Sequence, residues 1–431
     1  MSKEENRKNF SKYVSQNILG MIGFSCYVLA DSYFISIAKG ADGLTALNLV
    51  MPLYSIIFSI GEMIGVGSAI RYAISKIKKD ADADDYFWNA LIWCILSSML
   101  FVFAGIFFSA DIMRVLGADE HIVAVGNNYT KIFMCFSPMF MCNYVTNAFV
   151  RNDGAPGIAM SATLFSSLFN IVFDYILMFP MNLGMEGAAL ATALSPIIGM
   201  GICSIHFFSK KSSVRLVVCK PSVRKLVAGC QLGVSAFVGE MSSAVITLAF
   251  NFVILKLAGN VGVAAYGVVA NIAIVTTAVF NGVAQGSQPL ISSCFGRGDK
   301  DGCTQLKRMG YTTAFVLAAV MYSILFIFAG QFVAVFNSEG SEMLRLYATE
   351  GVKLYFIGIF FAGINIVGGG AFSATEDAFK AAVVSVARGF VLILGAVFVM
   401  SAFFGMTGVW LAYAVAEGIT TFIMLVMAMR V

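Results

Sequence analysis

The run FWNALIWCILSSMLFVFAGIFFS, residues 87–109, carries 23 consecutive residues without a charged side chain, and its reading decides the fold. A helix rises 1.5 Å per residue, so such a run crosses the roughly 30 Å hydrocarbon core of a bilayer with length to spare. In lipid an α-helix needs no outside partner for its backbone, because its own hydrogen bonds satisfy every N–H and C=O within the span. Working outward, comparable stretches recur with short polar breaks: residues 13–38, 45–72, 122–150, 157–180 and 187–208 around it, then 226–257, 261–294, 310–336, 347–372, 379–404 and 406–429. Twelve transmembrane helices are predicted, an all-α membrane protein with no separate soluble domain.

Composition agrees. The chain is 59% hydrophobic and 12% charged, against about 25% charged in a soluble protein, so most of its surface must face lipid. The charged start, Met1-Ser-Lys-Glu-Glu-Asn-Arg-Lys8, runs into the first span without a small-residue cleavage site, so that span is expected to stay as an anchor. The net charge of +4 does not call for nucleic acid. Its clusters, Lys3/Arg7/Lys8/Lys12, Arg71/Lys76/Lys78/Lys79, Lys210/Lys211/Arg215/Lys220/Arg224/Lys225 and Arg297/Lys300/Lys307/Arg308, all fall on one side, which puts both termini in the cytoplasm. The alternate loops 181–186 and 405–408 carry no Lys or Arg. Nine cysteines without C-x-x-C spacing read as packing residues. The chain has only two histidines, His121 and His206, both near span ends, which argues against a membrane-embedded enzyme and against a bound cofactor. No obligatory protein partner is evident.

The chain also repeats itself. A shift of 219 lays Gly43-Leu-Thr-Ala-Leu over Gly262-Val-Ala-Ala-Tyr, Gly67-Ser over Gly286-Ser, and Asp80 and Asp82 over Asp299 and Asp301. A shift of 221 lays Met185-Glu-Gly-Ala-Ala-Leu-Ala over Met406-Thr-Gly-Val-Trp-Leu-Ala, and the turn Asn152-Asp-Gly-Ala-Pro over Ser373-Ala-Thr-Glu-Asp. The expected organisation is an N-lobe (1–210), a cytoplasmic linker (211–225) and a C-lobe (226–431). Halves with an even number of spans enter the membrane the same way, so the two six-helix lobes should be related by a pseudo-two-fold axis along the membrane normal, with a substrate cleft between them. In the linker, Val214-Arg-Leu-Val-Val reads as a short interfacial segment or a plain connection.

Ionisable residues inside spans cost at least about 2.5 kcal/mol each, so every one is a candidate. They are Asp31, Glu62, Lys131 and Asp174 in the first half and Glu240, Lys353, Arg388 and Glu417 in the second. On the fifth span Thr163, Ser167, Asn170 and Asp174 follow one another at four, three and four residues, which sets them on one helical face. Asp31, Asn170, Asp174 and Thr192 are expected at similar depth. Two carboxylates, an amide and a hydroxyl make a hard oxygen set suited to Na⁺ or to a shared proton, since two close carboxylates in low dielectric cannot both stay ionised without a cation. The repeat partners, Phe250, Val391, Gly395 and Tyr413, keep no carboxylate or amide, so the second half is expected to do without such a cluster. Glu240, Glu62, Glu417 and Arg388 are candidate substrate-binding residues. Glu240 would attract a cationic substrate or bond a neighbouring helix, and Arg388 would balance a carboxylate or meet substrate. Pro138 and Pro196 lie inside spans and permit bending.

These residues give the chain a resemblance, over essentially its whole length, to the multidrug and toxic compound extrusion (MATE) family of the multidrug/oligosaccharidyl-lipid/polysaccharide flippase superfamily. The resemblance is carried by Asp31-Ser-Tyr-Phe-Ile-Ser with Gly43-Leu-Thr-Ala-Leu, Arg151-Asn-Asp-Gly-Ala-Pro, Asn170-Ile-Val-Phe-Asp174-Tyr-Ile-Leu, Gly184-Met-Glu-Gly-Ala-Ala-Leu-Ala-Thr192, and Gly286-Ser-Gln-Pro-Leu-Ile-Ser with Phe295-Gly-Arg-Gly-Asp. The arginine motif departs from the family pattern at Asn152-Asp-Gly-Ala-Pro. The resemblance implies an antiporter that exports organic cations from a bacterial cytoplasmic membrane against inward Na⁺ or H⁺. Asp31, Asn170, Asp174 and Thr192 match the family's N-lobe cation site and Glu240 its seventh-span acid. The rival within the superfamily is a lipid-linked oligosaccharide flippase, which would want a basic cleft.

Overall fold

A computed structural model describes residues 3–336 and 341–429 of the chain. Among them there is no strand. Helices α1 (Lys3–Gly40) and α2 (Asp42–Lys78) run on through a break at Gly40, φ 58° and ψ −142°. Then come α3 (Asp85–Val115), α4 in two pieces (Glu120–Cys135 and Ser137–Asn152), α5 (Pro156–Met178) and α6 (Gly184–Phe207). The run Val223–Gly296 is broken at Gly259 into α7 before it and α8 after it. Helix α9 (Lys300–Ile327), a short piece Ala329–Phe336, and α10 (Glu342–Ala374) with a 3₁₀ turn at Phe356–Gly358 follow. The last run begins at Ala378, makes a π-turn at Ala387–Val391, and divides at Gly405 into α11 and α12, ending at Met429.

Nine of these runs among the described residues are long and apolar enough to cross a membrane. Two of the nine hold two spans each, about Gly259 and Gly405, and the two-piece α4 is the twelfth. Pro138 sits in the first turn of the second α4 piece, where its missing N–H and ring interrupt the ladder. Pro196, in contrast, lies inside the continuous α6. Helices outrun the hydropathy estimate at the polar ends: α1 starts at Lys3 and α9 at Lys300, because hydropathy locates the lipid boundary whereas helix formers carry the helix past it.

The chain divides into two compact units. One, the N-unit, comprises Ser15–Phe237 and Ser292–Asp299; the other, the C-unit, comprises Met1–Val14, Val238–Ile291 and Lys300–Val431. The division therefore falls within α7 rather than in the 211–225 segment. The reason is close backbone packing: a Cβ on Gly67 would lie 2.0 Å from the Gly229 carbonyl oxygen, and one on Gly233 2.0 Å from that of Met63, so the start of α7 is held against α2. At the other end of the chain, Asn6 donates to Gln305 Oε1 at 3.2 Å within the C-unit.

The internal repeat is written into the backbone. Left-handed residues recur in register: Gly40 with Gly259 and Lys79 with Gly298 at 219, and Gly184 with Gly405 at 221. The turn expected at 221 sits instead at 222, since the left-handed residue after α4 is Gly154 and after α10 is Glu376, and a helix starts two residues later in each case, at Pro156 and Ala378. The environment repeats too. A Cβ on Gly43 would meet Lys39 Cβ at 2.6 Å and Ile35 Cγ2 at 3.1 Å, and one on Gly262 would meet Ala258 Cβ at 2.6 Å and Ile254 Cγ2 at 2.8 Å.

Candidate functional site

The 4-3-4 spacing on α5 does what helical geometry requires. Ser167, Asn170 and Asp174 are buried, while Phe165, Leu168, Val172 and Tyr175 on the opposite faces are exposed. Thr163, one turn earlier, accepts from Asn147 Nδ2 at 3.1 Å. The structure brings the four predicted residues to one buried place in the N-unit: relative exposures are 6% for Asp31 on α1, 0% for Asn170 and Asp174 on α5, and 2% for Thr192 on α6. Asn170 lies 3.2 Å from Thr192 Oγ1. With its amide nitrogen turned to the carboxylate, it donates to Asp174 Oδ2 at 3.0 Å and accepts from Thr192 Oγ1 at 3.2 Å. Asp31 lies within electrostatic range of Asp174. Asp31 Oδ1 and Asp174 Oδ1 are buried without a hydrogen-bond partner among the described residues.

Two residues that the sequence reading missed complete the cluster. Tyr54 on α2 and Tyr129 on α4 hydrogen-bond hydroxyl to hydroxyl, and both lie within electrostatic reach of Asp31 and Asp174. Tyr54 is fixed by stacking on Phe133, ring centroids 3.6 Å apart. Tyrosine in an apolar span carries no periodic signal, so only the fold reveals this role.

The remaining candidates do not join this cluster. Arg388, on the π-turn, donates Nε to Glu417 Oε1 at 3.0 Å and Nη2 to the same oxygen at 2.8 Å. Asn365 Nδ2 donates to Glu417 Oε2 at 2.7 Å, and Thr421 Oγ1 donates to Asn365 Oδ1 at 3.0 Å. The C-unit thus holds a buried polar network of its own, and the expectation that it does without one is corrected. Arg388 and Glu417 are thus paired with each other. Glu62 on α2 is half-buried and within reach of the Arg151 charge, whose Nη1 lies 3.4 Å from Asn17 Oδ1. Glu240 is half-buried on α7. Lys131 is exposed, and Lys353 lies over the Phe326 ring at 5.2 Å.

Among the described residues no group of three or more His, Cys, Asp and Glu side chains is arranged to hold a metal. A monovalent cation or a proton asks for less: the unpartnered oxygens of Asp31 and Asp174, with an amide and a hydroxyl beside them, fit either.

Comparison with known proteins decides the family. A family model described as MatE matches residues 17–176 and 236–399, most of both units. The chain belongs to the MatE family. A multidrug export protein, MepA of Staphylococcus aureus strain MRSA252, is 26% identical to this MatE chain over 93% of it and 89% of that protein. MepA of Staphylococcus saprophyticus is 25% identical over the same shares. Among solved structures, an outward-facing multidrug resistance MATE transporter superposes with a TM-score of 0.89 at 20% identity, covering 99% of this chain and 96% of that one. A superfamily transporter from Pyrococcus furiosus, for which reversed polarity of the binding pocket suggests a different function, superposes with a TM-score of 0.91 at 20% identity over the same shares. This MatE chain is accordingly a multi-pass membrane protein with the twelve-span fold of that family.

Proposed function

We propose that this protein is a secondary active multidrug exporter of a bacterial cytoplasmic membrane, moving amphipathic organic cations outward in exchange for inward Na⁺ or H⁺. The names of the curated relatives support export of drugs. The coupling rests on one observation: two buried carboxylates, Asp31 and Asp174, within reach of each other and with an unpartnered oxygen on each. In a low dielectric such a pair repels until a cation or proton is shared between them, so its occupancy is worth several-fold in any equilibrium that opens or closes the site. Asn170 and Thr192 orient the Asp174 carboxylate, and Tyr54 and Tyr129 supply hydroxyls that follow the protonation or cation state of the pair. The coupling ion therefore acts by favouring one conformation differentially, and the substrate by favouring the other. Glu240, a half-buried acid on α7, is the residue that attracts a cationic substrate.

The test is efflux of ethidium from proteoliposomes under an imposed Na⁺ gradient or an imposed pH gradient, with wild type and Asp31→Asn side by side. Export driven by one gradient and lost in a variant that inserts normally supports antiport and names the ion. Unchanged gradient-driven export in Asp31→Asn removes the coupling site, and absence of transport under both gradients moves the reading to a lipid-linked oligosaccharide flippase.

A further inference from the structure

Between Gly187 and Gly239 the chain has no Asp or Glu, yet residues 209–225 carry six Lys and Arg. Lys225 is consumed within the protein, paired with Asp85 and lying 3.6 Å from Asp82. The other five, Lys210, Lys211, Arg215, Lys220 and Arg224, are exposed, and none forms an ion pair among the described residues. The positive-inside tendency accounts for the charges. It does not account for what lies between them: Phe208 is 84% exposed, Val218 77%, Val223 61% and Leu216 56%.

This segment is tied down. At its start Asp153, closing α4, accepts from His206 at 2.8 Å, from Ser212 Oγ at 3.2 Å and from the Ser213 amide at 2.9 Å. Val214 is buried at 6%. Near its end Trp88 Nε1 donates to the Cys219 carbonyl at 3.1 Å, and the Ser222 amide donates to Asn89 Oδ1 at 2.6 Å. Fixing Val214 and Cys219 inward leaves Leu216, Val218 and the basic side chains turned outward, so the exposed apolar surface is held in place by the fold. The segment joins the end of the apolar α6 at Phe207 to the start of the apolar α7 at Val223, so it connects two consecutive membrane-crossing helices.

We propose that residues 208–224 are a docking element for anionic phospholipid headgroups of the adjoining leaflet, with Phe208, Leu216 and Val218 entering below the headgroups and the five basic side chains binding the phosphates. A fixed segment of mixed apolar and basic residues at a membrane edge meets both requirements for interfacial binding, apolar insertion and attraction to anionic lipid. The partner is at hand, since the exposed apolar side chains of α3 and α5 in the same unit face the bilayer.

The test uses the full chain with Val218→Trp, reconstituted in phosphatidylcholine vesicles containing a minor fraction of phosphatidylglycerol, and reads the added fluorescence over wild type. Brominated phosphatidylglycerol should quench that increment about twofold or more better than brominated phosphatidylcholine at equal mole fraction. The preference should fall toward one when Lys210, Lys211, Arg215 and Lys220 are replaced by Gln. Equal quenching by the two lipids in the Val218→Trp protein overturns lipid selectivity, and full quenching by aqueous acrylamide overturns docking altogether. Both of these readings need no charge variant to fold.

Discussion

The N-unit and the C-unit bury charge in opposite ways. In the C-unit, Glu417 is enclosed by Arg388 and Asn365, each of its oxygens accepts a hydrogen bond, and the charges cancel. In the N-unit, Asp31 and Asp174 are both buried, the neutral Asn170 is the donor beside Asp174, and one oxygen of each carboxylate has no hydrogen-bond partner among the described residues. A closed pair holds helices in one arrangement, whereas an open pair of like charges is stable only when something enters from outside. One duplicated scaffold thus keeps a structural network in one copy and a candidate for ion coupling in the other. The comparison breaks most visibly if the closed pair is opened. Glu417→Ala leaves the largely buried Arg388, 15% exposed, without its carboxylate, and should cost up to about 3–5 kcal/mol, read as a large drop in the thermal midpoint of the purified protein. Replacing both partners by Met should recover most of that loss. A Glu417→Ala protein as stable as wild type would mean that Glu417 is not a structural charge.

The open pair should respond in reverse. Asp31→Asn or Asp174→Asn removes one of two repelling carboxylates, so stability should stay within about 1 kcal/mol of wild type, while gradient-driven export should fall by about tenfold or more, the equivalent of one lost interaction of 1.4 kcal/mol. Paired measurement of melting and ethidium efflux separates the two effects. Stability lost in proportion to transport would make Asp31 and Asp174 structural, like Glu417.

How much of this contrast was legible beforehand follows from what each signal measures. The spans were legible because lipid demands long apolar runs, and the N-unit cluster because the spacing of Ser167, Asn170 and Asp174 puts costly polar groups on one face of a helix whose other faces meet lipid. Tyr54 and Tyr129 were not, since their meeting depends on helix packing rather than on any pattern along the chain. The C-unit network escaped for a different reason. At a shift of 221 the two charged members, Glu417 and Arg388, correspond to Pro196 and Ser167, neither of which is ionisable. The charges therefore differ between the copies, while the positive-φ breaks recur at nearly constant spacing.

That register is itself open to test. Gly40 and Gly259 adopt φ 58°, ψ −142° and φ 62°, ψ −157°, a region open to few other residues, and a Cβ at either position would have no neighbour within 4 Å. Substitution by Ala should therefore cost backbone strain alone, about 1–3 kcal/mol at each site and nearly the same at both. Gly267, equally open but without a left-handed φ, is the control, where Ala should be neutral or stabilising by up to about 1 kcal/mol. Unequal losses at Gly40 and Gly259 would show that one break carries a load the other does not.

The smallest expected effect lies at the rim of the N-unit, beside the Gly40 break. His121, at the start of α4, lies 2.9 Å from Asp42 Oδ2 at the start of α2, and the hydrogen bond to Asp42, then its charge, raises the His121 pKa above its ordinary 6.5. A group whose folded pKa is raised contributes stability that is complete below the unfolded value and lost as the pH rises through the folded one. The pair should therefore stabilise the N-unit below pH 6.5 and release it above the raised value. Both side chains are more than half exposed, so screening keeps the contribution small. The C-unit has Val261 where the repeat places Asp42, so this dependence should belong to the N-unit alone. Thermal midpoints of wild type and His121→Gln compared from about pH 6 to about pH 8, the range in which histidine titrates, should show a decline with rising pH that the variant lacks; identical slopes would leave the Gly40 break without a pH-dependent fastening.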